Sequence, residues 1–133
     1  MDNLVLLISI LLFTVVIGFF NLRNKGEIKE DIGHQIFESE LGKCYGKRAT
    51  VVQFSTTFCS ECRAAKALIS DVVSAENDIA YIEIDAESNL ELVRKVDIRS
   101  TPTTLFLDRS GFEIARATGA PKRDQLIKVI ASL

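Results

Sequence analysis

From Leu4 to Phe20 the chain carries no charged residue, and the run LVLLISILLFTVVIGFF is broken only by Ser9, Thr14 and Gly18. With the flanking Asn3, Asn21 and Leu22 it makes a helix of about 30 Å, the thickness of a bilayer's hydrocarbon core. A small soluble domain has too little surface to cover a helix that is apolar on every side. The chain therefore divides into an anchor over residues 1–22 and a water-soluble part after it. A cleaved secretory signal is the competing reading, but no positive leading region is present, Asp2 stands there, and no small-x-small cleavage pattern follows Phe20. The run is expected to stay as a single-pass transmembrane helix. Arg23, Lys25 and Lys29 follow it, so the positive-inside bias puts the rest of the chain in the cytoplasm, with the extracytoplasmic side as the alternative. Residues 23–30, polar and containing Gly26, are expected to form a juxtamembrane linker.

The remainder, 31–133, is long enough for one domain with its own core. Its partners are not nucleic acids on electrostatic grounds, because 16 basic and 18 acidic residues leave the chain at a formal charge of -2. Ile32, Ile36, Phe37 and Leu41 suggest a short amphipathic helix over 31–41. ATVVQFS (49–55) reads as a strand buried on both faces, and RAAKALISDVVSA (63–75) as a helix with Ala64, Ala67, Leu68 and Val72 on its inner side. IAYIEIDA (79–86) alternates like a strand, and SNLELVRKVDI (88–98) is helical with Leu92, Val93 and Val96 inward. Thr103–Leu107 and Glu113–Thr118, joined by DRSG, form an antiparallel hairpin. PKRDQLIKVIASL closes the chain as a helix with Leu126, Ile127, Ile130 and Leu133 on one stripe. This order predicts an α/β fold, a mixed sheet with helices on both faces.

The chemistry concentrates in STTFCSECRAAK, at the junction of a strand and a helix. Residues i and i+3 of a helix share a face, so Cys59 and Cys62 can come close enough to bond. The free amides and dipole at a helix start favour a thiolate on Cys59, the form that attacks a disulfide, with Cys62 as the resolving thiol. Spacing alone leaves three readings open: a redox couple, half of a zinc site, or a chance pair. Zinc would need two further ligands, and only Cys44 and His34 remain among the cysteines and histidines, without a second knuckle. Cys44 is expected to be a partly buried small residue ahead of the first core strand, with a regulatory or intermolecular disulfide as its other use. His34, the single histidine, is expected on the surface.

Together, FSTTFCSEC after a strand, the later STPTTLFLD, and DRSG followed by ATGAPKRDQL resemble the thioredoxin family over residues 31–133. The resemblance implies a thioredoxin-like fold and a thiol-disulfide oxidoreductase working through Cys59 and Cys62 without organic cofactor or metal. Its partners would be protein thiols or disulfides and an upstream electron donor. It further implies a cis bond before Pro102, with Thr101 and Pro102 forming the edge on which an extended substrate segment docks, and Phe58, Ser60 and Glu61 bordering that edge. Several positions depart from the family pattern. Phe58 replaces the usual Trp and Ser60-Glu61 the usual Gly-Pro. Gln53 occupies the place of a buried acid, Tyr81 that of the acid's lysine partner, and Ala67 that of a helix-kinking Pro. Gln53 cannot serve as a base, so water or another group must take the Cys62 proton. Glu61 opposes the Cys59 thiolate while Arg63 offsets it, which points to a reductase rather than a disulfide-forming oxidant. A non-catalytic binding module on the same scaffold and a membrane-tethered metal chaperone are the alternatives.

Overall fold

The computed structural model describes residues 1–23, 28–29 and 33–133. Along them run α1 (Asp2–Arg23), β1 (Ile28–Lys29), α2 (Glu38–Leu41), β2 (Ala49–Ser55), α3 (Ser60–Val73), β3 (Ile79–Asp85), α4 (Leu90–Lys95), β4 (Thr103–Asp108), β5 (Glu113–Thr118) and α5 (Arg123–Ser132). The strands form one mixed sheet in the order β1-β5-β4-β2-β3. β2 and β3 are parallel, from Ala49 opposite Ile79 to Ser55 opposite Asp85, while β4 returns antiparallel to β2 and β5 antiparallel to β4.

Every residue of β2 is buried, as a continuous β-branched run requires, because helices cover both faces of the sheet. On one face α3 and α5 bring Ile69, Val73, Leu126 and Ile130 against Val51 and Phe106. On the other, Leu41, Leu92 and Val96 meet Val52, Phe54 and Leu105. Each such side chain contributes about 1.5–3 kcal/mol by leaving water. The β4–β5 turn is held by Asp108 Oδ1, which accepts from the amides of Ser110 (2.8 Å) and Phe112 (3.1 Å). Gly111 closes it at φ +83°, where a Cβ would run into Tyr45 and the Ile36 carbonyl.

The structure corrects four local expectations. The helix expected over 31–41 is reduced to Glu38–Leu41, its first two residues lying outside the described residues. Gln35 bridges to Phe112, and the Ile36 amide donates to Gly111 O at 2.9 Å. The hairpin offers backbone partners that an extended segment can use and a helix cannot, so Ile36 is fully buried and Phe37 is exposed. In α3 the buried face is Cys62, Ala65, Ile69 and Val73; Ala64 and Ala67 face solvent, and Leu68 and Val72 flank the core. In α5, Ile127 is exposed beside the buried Leu126 and Ile130. Finally, Ile28 and Lys29, within the segment read as linker, pair antiparallel with Ala117 and Arg116 of β5; residues 24–27 and 30 of that segment lie outside the described residues.

Asn3–Leu22 of α1 is long and apolar enough to cross a membrane, and all of these residues are exposed.

Candidate active site

β2 ends at Ser55, and Thr56–Phe58 carry the chain to the start of α3. Cys59 is the N-cap residue, in an extended conformation, and its Sγ accepts the Cys62 amide at 3.1 Å. A disulfide joins the two cysteines, with Cα atoms 5.1 Å apart. They are not equivalent: Cys59 is half-buried at the helix tip, whereas Cys62 belongs to the packed face of α3 at 3% exposure. The helical register that corrected the α3 face thus also hides the second sulfur.

Around the pair, Phe58 stands free at 97% exposure, and Ser60 and Glu61 are exposed in the first turn. The Thr101–Pro102 peptide bond is cis, with Thr101 half-buried and Pro102 buried. Thr101 Oγ1 lies 3.4 Å from Thr56 Oγ1, which joins the loop before β4 to the segment that leads into Cys59. Pro102 O accepts the Gly119 amide at 2.8 Å, so the start of β4 is tied to the end of β5 as well. Gly119 holds φ +87°, a conformation that favours glycine.

Beneath α3 lies Gln53, fully buried. Its Nε2 donates to Cys62 O (2.9 Å) and Ser55 Oγ (3.1 Å), and its Oε1 accepts the Tyr81 hydroxyl at 2.7 Å. Burial, and then the charge of Glu83, push the Tyr81 phenol well above its ordinary range, so it stays a donor. The two positions that depart from the family's charged pair therefore form a neutral pair of hydrogen-bond partners here. A cleft of about 270 Å³ opens beside Cys62, lined also by Ser55, Arg63, Lys66, Glu83 and Asp85. Apart from Cys62 and Arg63, these cleft residues were not singled out from the sequence. The signal was present in the strand alternation of β3, which sets Tyr81, Glu83 and Asp85 on one face.

The other candidates lie elsewhere. Cys44 is a free cysteine and exposed, contrary to the expectation of partial burial, because it sits in the connection between α2 and β2 and outside both apolar clusters. His34 is surface-exposed as expected, with Nδ1 3.5 Å from Glu113 Oε2. Among the described residues no three His, Cys, Asp or Glu side chains converge as a metal site would require.

The thioredoxin family model matches residues 29–132. Thioredoxin of Gallus gallus is 32% identical over 97 residues, which is 73% of this chain and 90% of that protein. Among solved structures, the thioredoxin NaTrxh of Nicotiana alata superposes with a TM-score of 0.58 at 28% identity, covering 65% of this chain and 73% of its own. Thioredoxin-2 of a malaria parasite gives 0.60 at 22% identity, over 65% and 84% of the two chains, a likeness of fold. With the strand–CxxC–helix geometry, the bonded cysteines and a family match over residues 29–132, the chain belongs to the thioredoxin family and is a thiol-disulfide oxidoreductase.

Proposed function

We propose that the protein is a membrane-anchored reductase of protein disulfides in which Cys59 attacks and Cys62 resolves. The unequal burial of the two sulfurs is the observation that carries this reading: a bulky substrate disulfide can reach Cys59 at the helix tip, whereas Cys62 is 3% exposed and borders only a small cleft. The Cys62 amide and the helix dipole supply positive potential at Cys59 Sγ, which favours the attacking thiolate.

Cys59 Sγ⁻ attacks one sulfur of the substrate disulfide, forming a mixed disulfide and expelling the other sulfur as a thiolate. Cys62 Sγ⁻ then attacks Cys59 Sγ, the internal disulfide forms, and the second substrate thiolate leaves. Two electrons pass to the substrate, and an upstream dithiol donor returns the pair to the reduced form. An extended substrate segment docks along Thr101 and Pro102 through the Thr101 backbone, while Phe58, Ser60 and Glu61 meet the residues flanking its disulfide. Phe58 offers an apolar face and Glu61 a negative charge, which suits segments carrying apolar and basic residues.

The reducing direction is supported by Glu61, whose charge in the first turn of α3 opposes the Cys59 thiolate, so the dithiol form gains little extra stability. The anchor over 1–22 holds the thioredoxin-like domain, whose sheet already includes Ile28 and Lys29, at the cytoplasmic face. In Cys62→Ser, a mixed disulfide between Cys59 and substrate accumulates, detected by non-reducing electrophoresis and mass spectrometry; accumulation in Cys59→Ser instead reverses the roles. The measured reduction potential falls nearer the roughly -270 mV of thioredoxin than the roughly -120 mV of a strong oxidant.

A further inference from the structure

The resolving step assigned above to Cys62 requires its thiol to lose a proton inside the protein, and the buried group in contact with its backbone, Gln53, is an amide with no basic site. Tyr81, the next member of that chain, is a hydrogen-bond donor committed to Gln53 Oε1. The strand register supplies what position 53 lacks. Gln53 and Glu83 are direct partners in the parallel β2–β3 ladder, so their side chains leave the same face of the sheet one strand apart. That face lies under α3, and Glu83 and Cys62 line the same cleft. At about 270 Å³ the cleft has room for several water molecules, each occupying about 30 Å³ in the liquid.

We infer that Glu83 is the proton-exchange group of the couple, acting on Cys62 through the water-accessible cleft. When the pair resolves, the Cys62 S–H proton passes to the Glu83 carboxylate. The sulfur's electron pair forms the bond to Cys59 Sγ, the Cys59–substrate S–S bond breaks, and the substrate thiolate leaves with its electrons and is protonated by solvent. When a dithiol donor reduces the pair, the proton returns. The other charged groups around Glu83 are Lys66 of α3, whose Nζ is 2.9 Å from Oε2, Arg63 on the same helix, and Asp85 on its own strand; β2 contributes only the uncharged Gln53 and Ser55. Lys66 holds Glu83 toward α3. Asp85 is the poorer acceptor, since Ser88 Oγ (2.6 Å) and the Glu87 amide (3.0 Å) already occupy its two oxygens.

Because Glu83 acts through the cleft and does not touch the reacting sulfur, it is a positioning residue for the proton, and the pH profile tests it. The inference rests on Cys62 being the resolving thiol. The measurement is single-turnover release of a fluorophore-labelled peptide thiol from the Cys59 mixed disulfide, made with the full chain in detergent. In Glu83→Gln, release slows by about 100-fold near pH 6, the scale of general-base assistance. The deficit vanishes near pH 9, above the roughly 8.5 at which a thiol ionises unaided. Asp85→Asn retains the wild-type profile. A Glu83→Gln deficit equal at both pH values, no deficit, or the pH-dependent loss appearing in Asp85→Asn would each overturn the assignment to Glu83. Wild-type protein that forms the mixed disulfide and never releases it would overturn the resolving role of Cys62 itself.

Discussion

Tyr81 and Thr104 flank the same buried amide with opposite consequences for stability. The Tyr81 hydroxyl satisfies Gln53 Oε1, and removing it strands a buried carbonyl. Thr104 is the antiparallel partner of Gln53 across β2 and β4, fully buried, and its Oγ1 has no hydrogen-bond partner among the described residues. An unsatisfied buried polar group costs about 1–3 kcal/mol, whereas an apolar replacement of the same shape removes the cost. Tyr81→Phe is therefore expected to lower unfolding stability by about 1–2 kcal/mol and Thr104→Val to raise it by about 1 kcal/mol. Urea midpoints at unchanged slope measure both, and a loss in Thr104→Val would mean that its hydroxyl has a partner in solution. The residue types at 53 and 81 were legible as departures from a family pattern. The resemblance also paired the two positions, but the neutral hydrogen bond between them and the Gln53 contact with the Cys62 carbonyl were not legible, since both depend on strand register and helix packing.

Among the elements, β5 couples the sheet edge to the segments around it through Glu113 and Arg116. Burial alone would raise the Glu113 carboxyl, but hydrogen bonds from Arg116 and the His34 amide, with the Arg116 charge, outweigh it and hold the group below the ordinary glutamate range. Arg116 also donates to Val96 O at 2.9 Å, so one ion pair ties β5 to the end of α4 and to the chain entering the domain. A carboxyl depressed in the folded state gives stability that is present above its unfolded value, about 4.3, and is lost as the pH falls through the lower folded value. Urea unfolding is expected to show this decline below about pH 4.5, with a shallower decline in Glu113→Gln. At neutral pH that variant is expected to be less stable by about 3 kcal/mol, because Arg116 loses its buried partner. Helices and strands were legible at this scale because their periodicities are local. The inner face of α3 was read one residue out of phase because its apolar residues spread over more than one stripe, and packing against the sheet selects the stripe that includes Cys62.

At the scale of the whole molecule, a redox domain follows an exposed apolar helix, and Cys44 offers a reporter of where that domain lies. It is exposed, free and outside the redox pair, so it accepts a maleimide whatever the state of Cys59 and Cys62. With the domain in the cytoplasm, a membrane-impermeant maleimide leaves Cys44 unlabelled in intact cells and labels it after permeabilisation; labelling of intact cells would place the domain on the other side. The full chain is also expected to stay with membranes through alkaline carbonate extraction, as about 30 Å of apolar helix requires. The apolar span, the alternation of helix and strand, the hairpin and a cysteine pair at a strand–helix junction were all readable from the chain, since each is written in neighbouring residues. Which cysteine is accessible, which side chains support the hidden one, and that Glu83 shares its cleft emerge from the folded arrangement alone. Those relations join residues far apart in the chain, and they exist only once strand register and helix packing have brought them onto one face of the sheet.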